Sequence, residues 1–270
     1  MTGSVVITGA GQGIGRAILH RLLEDGWYAV GVERDTALVE DLNSAIKHGE
    51  GAVLHADVAE ANTLERARDL AVAAAPLAGW VNNAGVPHPV SLHRATPADL
   101  ATVLSVNLHG TFWGCAMAVR TFLAQKSPGA IVNVSSIHGR ASFAGHAAYD
   151  TSKGGIDALT RNVAVEYGPA GIRANAVAPG GIRTPLLLRG IAEADDPATA
   201  ESRLRDSPPL RRIGEATEIA AVVAFLLSAD ASYLTGQSIA VDGGWTAACA
   251  TSPTDPDLMR GRTHPMSEGR

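Results

Sequence analysis

Cysteine is scarce: Cys115 and Cys249 are the only two in 270 residues. Two thiols so far apart make no disulfide framework, so both are expected to stay reduced in a cytoplasmic protein. Long apolar runs are missing as well, and none approaches the ~18 residues of a membrane helix. The opening MTGSVVITG has neither a basic stretch nor an apolar core, so no export signal is expected. Positive charge is not in excess: 22 Lys+Arg stand against 27 Asp+Glu, a formal net charge of −5. A nucleic-acid binder would carry a basic face, so neither nucleic acid nor a membrane is an expected partner. The nine histidines form no HExxH and no Cys/His cluster, so no metal is expected.

Apolar residues make up 46% of the chain and charged residues 18%, enough for a sizeable core and against disorder throughout. The length fits one α/β domain, since such folds run to ~250 residues. Short apolar runs at 4–8, 28–32, 52–56, 79–81, 130–134, 172–177 and 238–241 read as strands. Helical spacing follows at 13–24, 36–47, 61–75, 96–125, 147–167 and 215–227. Strands apolar nearly throughout, each followed by a helix, predict a doubly wound parallel sheet of about seven strands with helices on both faces. The domain is expected to span 1–245. Segment 185–212 is polar, carries four prolines and interrupts the alternation. The stretch 246–270, rich in Pro, Gly, Ser and charge, reads as a polar tail.

After the first strand comes Thr8-Gly9-Ala10-Gly11-Gln12-Gly13-Ile14-Gly15, then a helix. The common G-x-G-x-x-G spacing does not fit; T-G-x-x-x-G-x-G does, with Gly9, Gly13 and Gly15. Glycines let the backbone turn sharply and approach a pyrophosphate, and the helix start supplies free N–H groups. A merely tight strand–helix turn is the other reading. The second strand leads into Glu33, where an acid would bond the adenosine ribose and repel a 2′-phosphate. Glu33 therefore favours NAD over NADP, although Arg34 could meet a 2′-phosphate. Asp57 follows the third strand. It could bond the adenine amine, or cap the next helix with Glu60 at capping-box spacing.

Tyr149 and Lys153 lie four apart on one predicted helix and hence on one face. A free tyrosine has a pKa of about 10, and a lysine cation one turn away would lower it. Tyr and Lys also meet at this spacing by chance. Ser135 and Ser136 end the fifth strand, at the sheet edge where ligands bind, or simply as a hydrogen-bonded strand end.

Together these residues resemble the short-chain dehydrogenase/reductase family, in its single-domain branch. The resemblance covers roughly residues 4–244. It rests on TGAGQGIG at 8–15, Asp57-Val58, NNAG at 82–85, Asn107 within SVNLHG, VNVSS at 132–136, YDTSK at 149–153 and VAPGGIRTP at 177–185. GEATEIA at 214–220 and YLTGQSIAVDGG at 233–244 also match. The resemblance implies hydride transfer between NAD(H) and a secondary alcohol or ketone. It makes Tyr149 the general acid/base, with Ser136 holding the substrate oxygen. Lys153 would bond the nicotinamide ribose, and Asn107 would hold a relay water or else merely interrupt its helix. Asn83, Ala84 and Gly85 would pass the cofactor ribose and adenine, unless Asn82 and Asn83 only brace strands. Pro179 and Gly180 would border the nicotinamide, with Ile182 and Thr184 at its carboxamide. Gln12 stands where NADP-preferring relatives often carry Arg or Lys.

The substrate side is expected to be closed by 185–212 acting as a lid, with Leu186–Leu188 as an apolar wall or as ordinary packing. His138, Phe143 and His146 flank the catalytic residues and are candidate substrate contacts. A cofactor-binding sensor or scaffold on the same fold is the alternative function, and an intact Ser136–Tyr149–Lys153–Asn107 set argues for the enzyme. A sugar-nucleotide epimerase would usually have another glycine spacing and a larger C-terminal domain. The long helix carries Leu100, Val103, Leu104, Val106, Leu108, Phe112, Met117 and Val119 around much of its circumference. That spread predicts a homo-oligomer, most simply a homotetramer.

Overall fold

Strands that are apolar on both faces must be covered on both faces, and the structure does this with two helical layers. It is a computed structural model that describes residues 3–60 and 62–248. Cys249 and the expected polar tail from 249 onward lie outside the described residues. The strands are β1 (Ser4–Thr8), β2 (Tyr28–Glu33), β3 (Gly51–His55), β4 (Leu77–Asn82), β5 (Gly129–Val134), β6 (Ile172–Pro179), β7 (Ile182–Arg183), β8 (Gly214–Glu215) and β9 (Ser238–Val241). The helices are α1 (Gly13–Glu24), α2 (Thr36–Ala45), α3 (Thr63–Ala74), α4 (Pro97–Val103), α5 (Gly110–Gln125), α6 (Ala147–Tyr167), α7 (Pro185–Ala192), α8 (Pro197–Asp206) and α9 (Ala216–Leu227).

Seven strands form one parallel sheet in the order β3-β2-β1-β4-β5-β6-β9; β7 and β8 pair apart from it. Successive side chains point to opposite faces. Val5 and Ile7 of β1 pack with Ile18, Leu19 and Leu22 of α1 and with Ile219, Val223 and Leu226 of α9. Val6 of the same strand joins Val30, Trp80 and Ile131 on the other face, against Leu64 and Ala67 of α3, Phe122 of α5 and Val163 of α6. Strand order reverses between β1 and β4, and the carboxyl ends of these two strands open the crevice that holds the site.

Several elements differ from their expected form. The helix expected over 61–75 is Thr63–Ala74, entered through Asn62 in the left-handed region at φ 66°. Asp57 therefore does not cap it. Its Oδ1 accepts from the Ala59 N–H at 2.9 Å and closes a turn instead. The helix expected over 96–125 opens on Thr96 with a capping box to Asp99, then loosens into a π-helical segment at Leu104–His109 before α5. Segment 185–212 holds two helices, α7 and α8, because Pro185 and Pro197 each stand at the first helical position behind a capping Thr184 and Asp196. Proline there starts a helix rather than breaking one. Neither helix contributes a buried residue. No helix among the described residues is long and apolar enough to cross a membrane.

Candidate active site

The glycine turn is shaped by close approach. Gly9 and Gly13 take positive φ, 66° and 54°. A Cβ on Gly15 would lie 2.0 Å from the Gly9 carbonyl oxygen and 2.4 Å from Asn83 Nδ2, so no larger residue fits. Asn83 Nδ2 donates to the carbonyls of Thr8 (3.0 Å) and Gly9 (2.9 Å). The Asn83 and Ala84 N–H groups donate to Thr8 Oγ1 at 3.0 and 3.1 Å. Asn82 braces the next strand, donating from Nδ2 to Asn133 Oδ1 at 2.9 Å. Both asparagines thus tie strands together, and Asn83, Ala84 and Gly85 also line the cavity. Helix α1 begins on Gln12 with no side-chain cap and no acidic residue in its first turn. Its leading N–H groups have no side chain to satisfy them, the arrangement that receives a phosphate.

Glu33 is 9% exposed at the end of β2 and faces the same cavity. Its Oε2 accepts from the Gly11 N–H at 2.9 Å, and Oε1 accepts from the N–H groups of Arg34 (2.8 Å) and Asp35 (3.0 Å). The Arg34 guanidinium, which also lines the cavity, pairs with Asp57, 3.2 Å from Oδ2. Gln12, Ile14, Asp57 and Val58 border the same end of the cavity. Its volume is about 890 Å³. A positive-φ glycine cradle, an uncapped helix start and an acid at the second strand fit a nicotinamide dinucleotide.

Ser136, Tyr149 and Lys153 line the same cavity. Ser136 stands beside the Tyr149 phenol, where its hydroxyl favours the ionised form, and its Oγ accepts from the His138 N–H at 3.2 Å. Lys153 is buried; its Nζ donates to the Val134 carbonyl at 2.9 Å and lies 5.4 Å from the Tyr149 ring centre. The expected lowering of the phenol by this lysine is not found. Burial pushes Tyr149 up to about 12, with the Ser136 hydrogen bond opposing it. Burial likewise pushes Lys153 down to about 8, against the pull of Asp157. Removing either charge from water costs more than the pair recovers across this distance.

Asn107 sits fully buried in the π-helical segment. Its Oδ1 accepts from the Val86 N–H at 2.8 Å, and Nδ2 donates to the Val86 carbonyl at 3.0 Å and to Ser152 Oγ at 3.2 Å. Both amide hydrogens are used, and one lone pair of Oδ1 remains. A Cβ on Gly85 would meet Asn107 Oδ1 at 3.4 Å and Lys153 Nζ at 3.7 Å, so these two groups flank one glycine.

Pro179, Gly180 and Ile182 line the cavity beside Thr184, whose hydroxyl is committed to the Leu187 N–H at 3.2 Å. Leu186 lines it too. His138, Phe143 and His146 gather next to Tyr149. His138 stacks on Phe143 at 4.4 Å and stands edge-on to Tyr149 at 5.1 Å. Two neighbours were not singled out from sequence. Trp245 meets Phe143 edge-on at 5.5 Å, and Asp150 takes His138 Nδ1 at 2.6 Å. The tryptophan directly after Gly243-Gly244 was an available signal; the Asp150 contact has none, since it crosses from a loop to a helix.

Comparison with known proteins agrees with this geometry. A family model described as enoyl-(acyl carrier protein) reductase matches residues 9–246. Galactitol 2-dehydrogenase (L-tagatose-forming) of Cereibacter sphaeroides is 38% identical over 247 residues, 89% of this chain and 93% of the relative. 3beta-hydroxysteroid dehydrogenase 1 of Eggerthella lenta is 35% identical over 247 residues, 90% of this chain and 93% of the relative. The crystal structure of a levodione reductase superposes with a TM-score of 0.87 at 36% identity, covering 92% of this chain and 99% of that one. The chain belongs to the short-chain dehydrogenase/reductase family. It is an oxidoreductase of CH–OH groups that works with a nicotinamide cofactor.

Burial places the folded-state pKa of Lys153, about 8, below its ordinary 10.5. Between those values the folded protein binds fewer protons than the unfolded chain, so this lysine makes stability rise with pH there. Lys153→Met removes the charge and with it that rise. In urea unfolding the variant should be at least as stable as wild type at pH 7, with its advantage shrinking as pH climbs from 8 toward 10. A variant weaker than wild type at every pH would show that the bond to Val134 outweighs the cost of the buried charge.

Proposed function

We propose that the protein is an NAD(H)-dependent secondary-alcohol dehydrogenase or ketone reductase, with Tyr149 as general acid/base. The observation that carries this reading is that Ser136, Tyr149 and Lys153 line the same cavity as the glycine cradle. A scaffold or sensor has no need of that set, and the sensor alternative is not favoured.

The cofactor supplies a hydride acceptor or donor when bound. Gly9, Gln12, Gly13, Ile14 and Gly15 would hold its pyrophosphate, and Glu33 its adenosine ribose. Asp57, Val58, Asn83, Ala84 and Gly85 would border the adenine side, with Pro179, Gly180, Ile182 and Thr184 at the nicotinamide. Glu33 supports NAD over NADP, because its carboxylate would oppose a 2′-phosphate and Arg34 is already engaged by Asp57. On the substrate side, Ser136 holds the reacting oxygen while the Tyr149 phenol gives or takes its proton. Lys153 would hold the nicotinamide ribose and pass the proton onward. The remaining lone pair of Asn107 Oδ1 would be the acceptor for a relay water. Binding both reactants in line removes most of the entropic barrier, and two hydroxyl donors stabilise the developing oxyanion. A cytoplasmic setting goes with this reading, supported by the paucity of cysteine.

Two further features belong to it. Residues 1–245 act as one domain in which 185–212 is a lid. Helices α7 and α8 bury no residue, yet Leu186, Leu187, Arg189 and Leu204 line the cavity. The protein is also a homotetramer. Helix α5 buries Met117 and Val119 in the core but leaves Phe112, Trp113 and Leu123 roughly half exposed, as α4 does Leu100, and α6 leaves Val165 largely exposed. Apolar surface so grouped calls for a partner copy.

Assays with secondary alcohols and ketones test the enzyme. Wild type should prefer NAD by at least about tenfold in kcat/KM, or ~1.4 kcal/mol. Tyr149→Phe should lose ~10²–10⁴-fold in kcat with NAD affinity within a few-fold of wild type. A Phe variant keeping half of the turnover removes Tyr149 from the mechanism; a wild type that prefers NADP removes Glu33 from cofactor choice. Light scattering should report about four times 27.8 kDa at micromolar concentration, and a particle of one chain mass refutes the tetramer. Amides in 190–207 should gain hydrogen-exchange protection with NAD and a substrate analogue. Equal protection with and without them would make the segment a fixed wall.

A further inference from the structure

The group beside Tyr149 that the hydride-transfer chemistry does not use is His138. Its ring is held from three sides. Asp150 Oδ1 takes Nδ1 at 2.6 Å, Phe143 stacks on one face at 4.4 Å, and Tyr149 stands edge-on at 5.1 Å. Every buried side-chain nitrogen and oxygen among the described residues has a hydrogen-bond partner. Nε2 of His138 has none, so it is open, and the residue lines the cavity. A carboxylate on Nδ1 keeps the proton there, which leaves Nε2 as a bare lone pair. Burial holds the imidazole below its ordinary value, with the charges of His146 and Lys153 adding to that and Asp150 opposing, so the neutral ring is the relevant form.

We infer that His138, oriented by Asp150, is a specificity residue whose Nε2 accepts a hydrogen bond from a second hydroxyl on the substrate, so that the preferred substrates are diols and their hydroxyketone products. The inference rests on the dehydrogenase reading of this site and names its substrate class. The His138 ring stands edge-on to Tyr149 at 5.1 Å, and both residues line the one cavity, so a hydroxyl bound at Nε2 would belong to the same small molecule whose carbinol meets the phenol. Diols with neighbouring hydroxyls are the simplest such molecules. Phe143 and Trp245 offer the carbon skeleton an apolar wall. A substrate with a lone carbinol would cover Nε2 without a donor, and leaving such an acceptor unpaired is costly.

The test compares butan-2-ol with butane-2,3-diol, and cyclohexanol with cyclohexane-1,2-diol, with NAD and with NADP. For wild type, kcat/KM should favour each diol by about tenfold or more, mostly through KM. In His138→Phe the ratio should fall to about one. His138→Gln, whose amide oxygen can still accept, should restore part of it. A wild-type ratio near one, or an undiminished ratio in His138→Phe, overturns the inference while leaving the alcohol dehydrogenase standing. If the Phe variant does not fold, the wild-type ratio and the Gln variant still decide. No turnover of any of the four with either cofactor counts against both the inference and the dehydrogenase reading beneath it.

Discussion

The structure depends on the packing of three small groups at the point where the sheet reverses direction. Gly9, Gly15 and the Asn83 amide share a space with no room for a Cβ. Asn83 sits just past β4 and bonds the last residue of β1 and the glycine after it. The same contact therefore sets the spacing of the two central strands, the entry of α1 and the position of its uncapped first turn. Widening it by one methyl would move the helix start away from the turn and close the crevice differently. Gly114 shows the same economy one layer away, since a Cβ there would lie 2.0 Å from the Asn82 amide oxygen. Close-packed interiors transmit such shifts rather than absorbing them.

A second constraint is electrostatic. Tyr149 and Lys153 are placed where burial drives both toward neutrality, to about 12 and about 8. That is a stability cost accepted at a site, and costs of this kind gather where proton transfer is done. The lysine is kept in position by the Val134 carbonyl at the end of β5, next to Ser135 and Ser136. Strand β5 thus ends on the carbonyl that holds the lysine, and the turn just after it carries the serine beside the phenol, while α6 carries the phenol and the lysine themselves.

Much of this was legible in the chain because the relevant signals are local. Apolar strands and the glycine turn located β1 through β6 and the crevice, and the four-residue step from Tyr149 to Lys153 needed only a helix. What escaped was of two kinds. The first was punctuation with two meanings. Pro185 and Pro197 read as breaks, yet each follows a capping residue and opens a helix, and Asp57 with Glu60 mimicked a cap where the chain makes only a turn. The second was chemistry that depends on burial or on distant contacts. Spacing predicts that a lysine stabilises a nearby phenolate, but not that desolvation outweighs it. Nothing in sequence brings Asp150 onto His138, or pairs Arg34 with Asp57.

The π-helical segment shows how the two ends of the site are coupled. An α-helix continued from α4 through α5 would carry each backbone bond to the fourth residue; the extra residue at Leu104–His109 shifts that register and carries Asn107 inward. From there its amide takes both backbone groups of Val86, at the end of the loop that holds Asn83 to Gly85. The same amide reaches Ser152, whose hydroxyl donates to the Tyr149 carbonyl at 2.7 Å. One buried side chain therefore links the loop on the cofactor side to the helical turn that bears the phenol. Every hydrogen it has is spent on that link, so the polar residue that interrupts the helix is also what holds the site together. A shift of the loop on ligand binding would be felt at Tyr149 through three successive hydrogen bonds, with no need for the sheet to move.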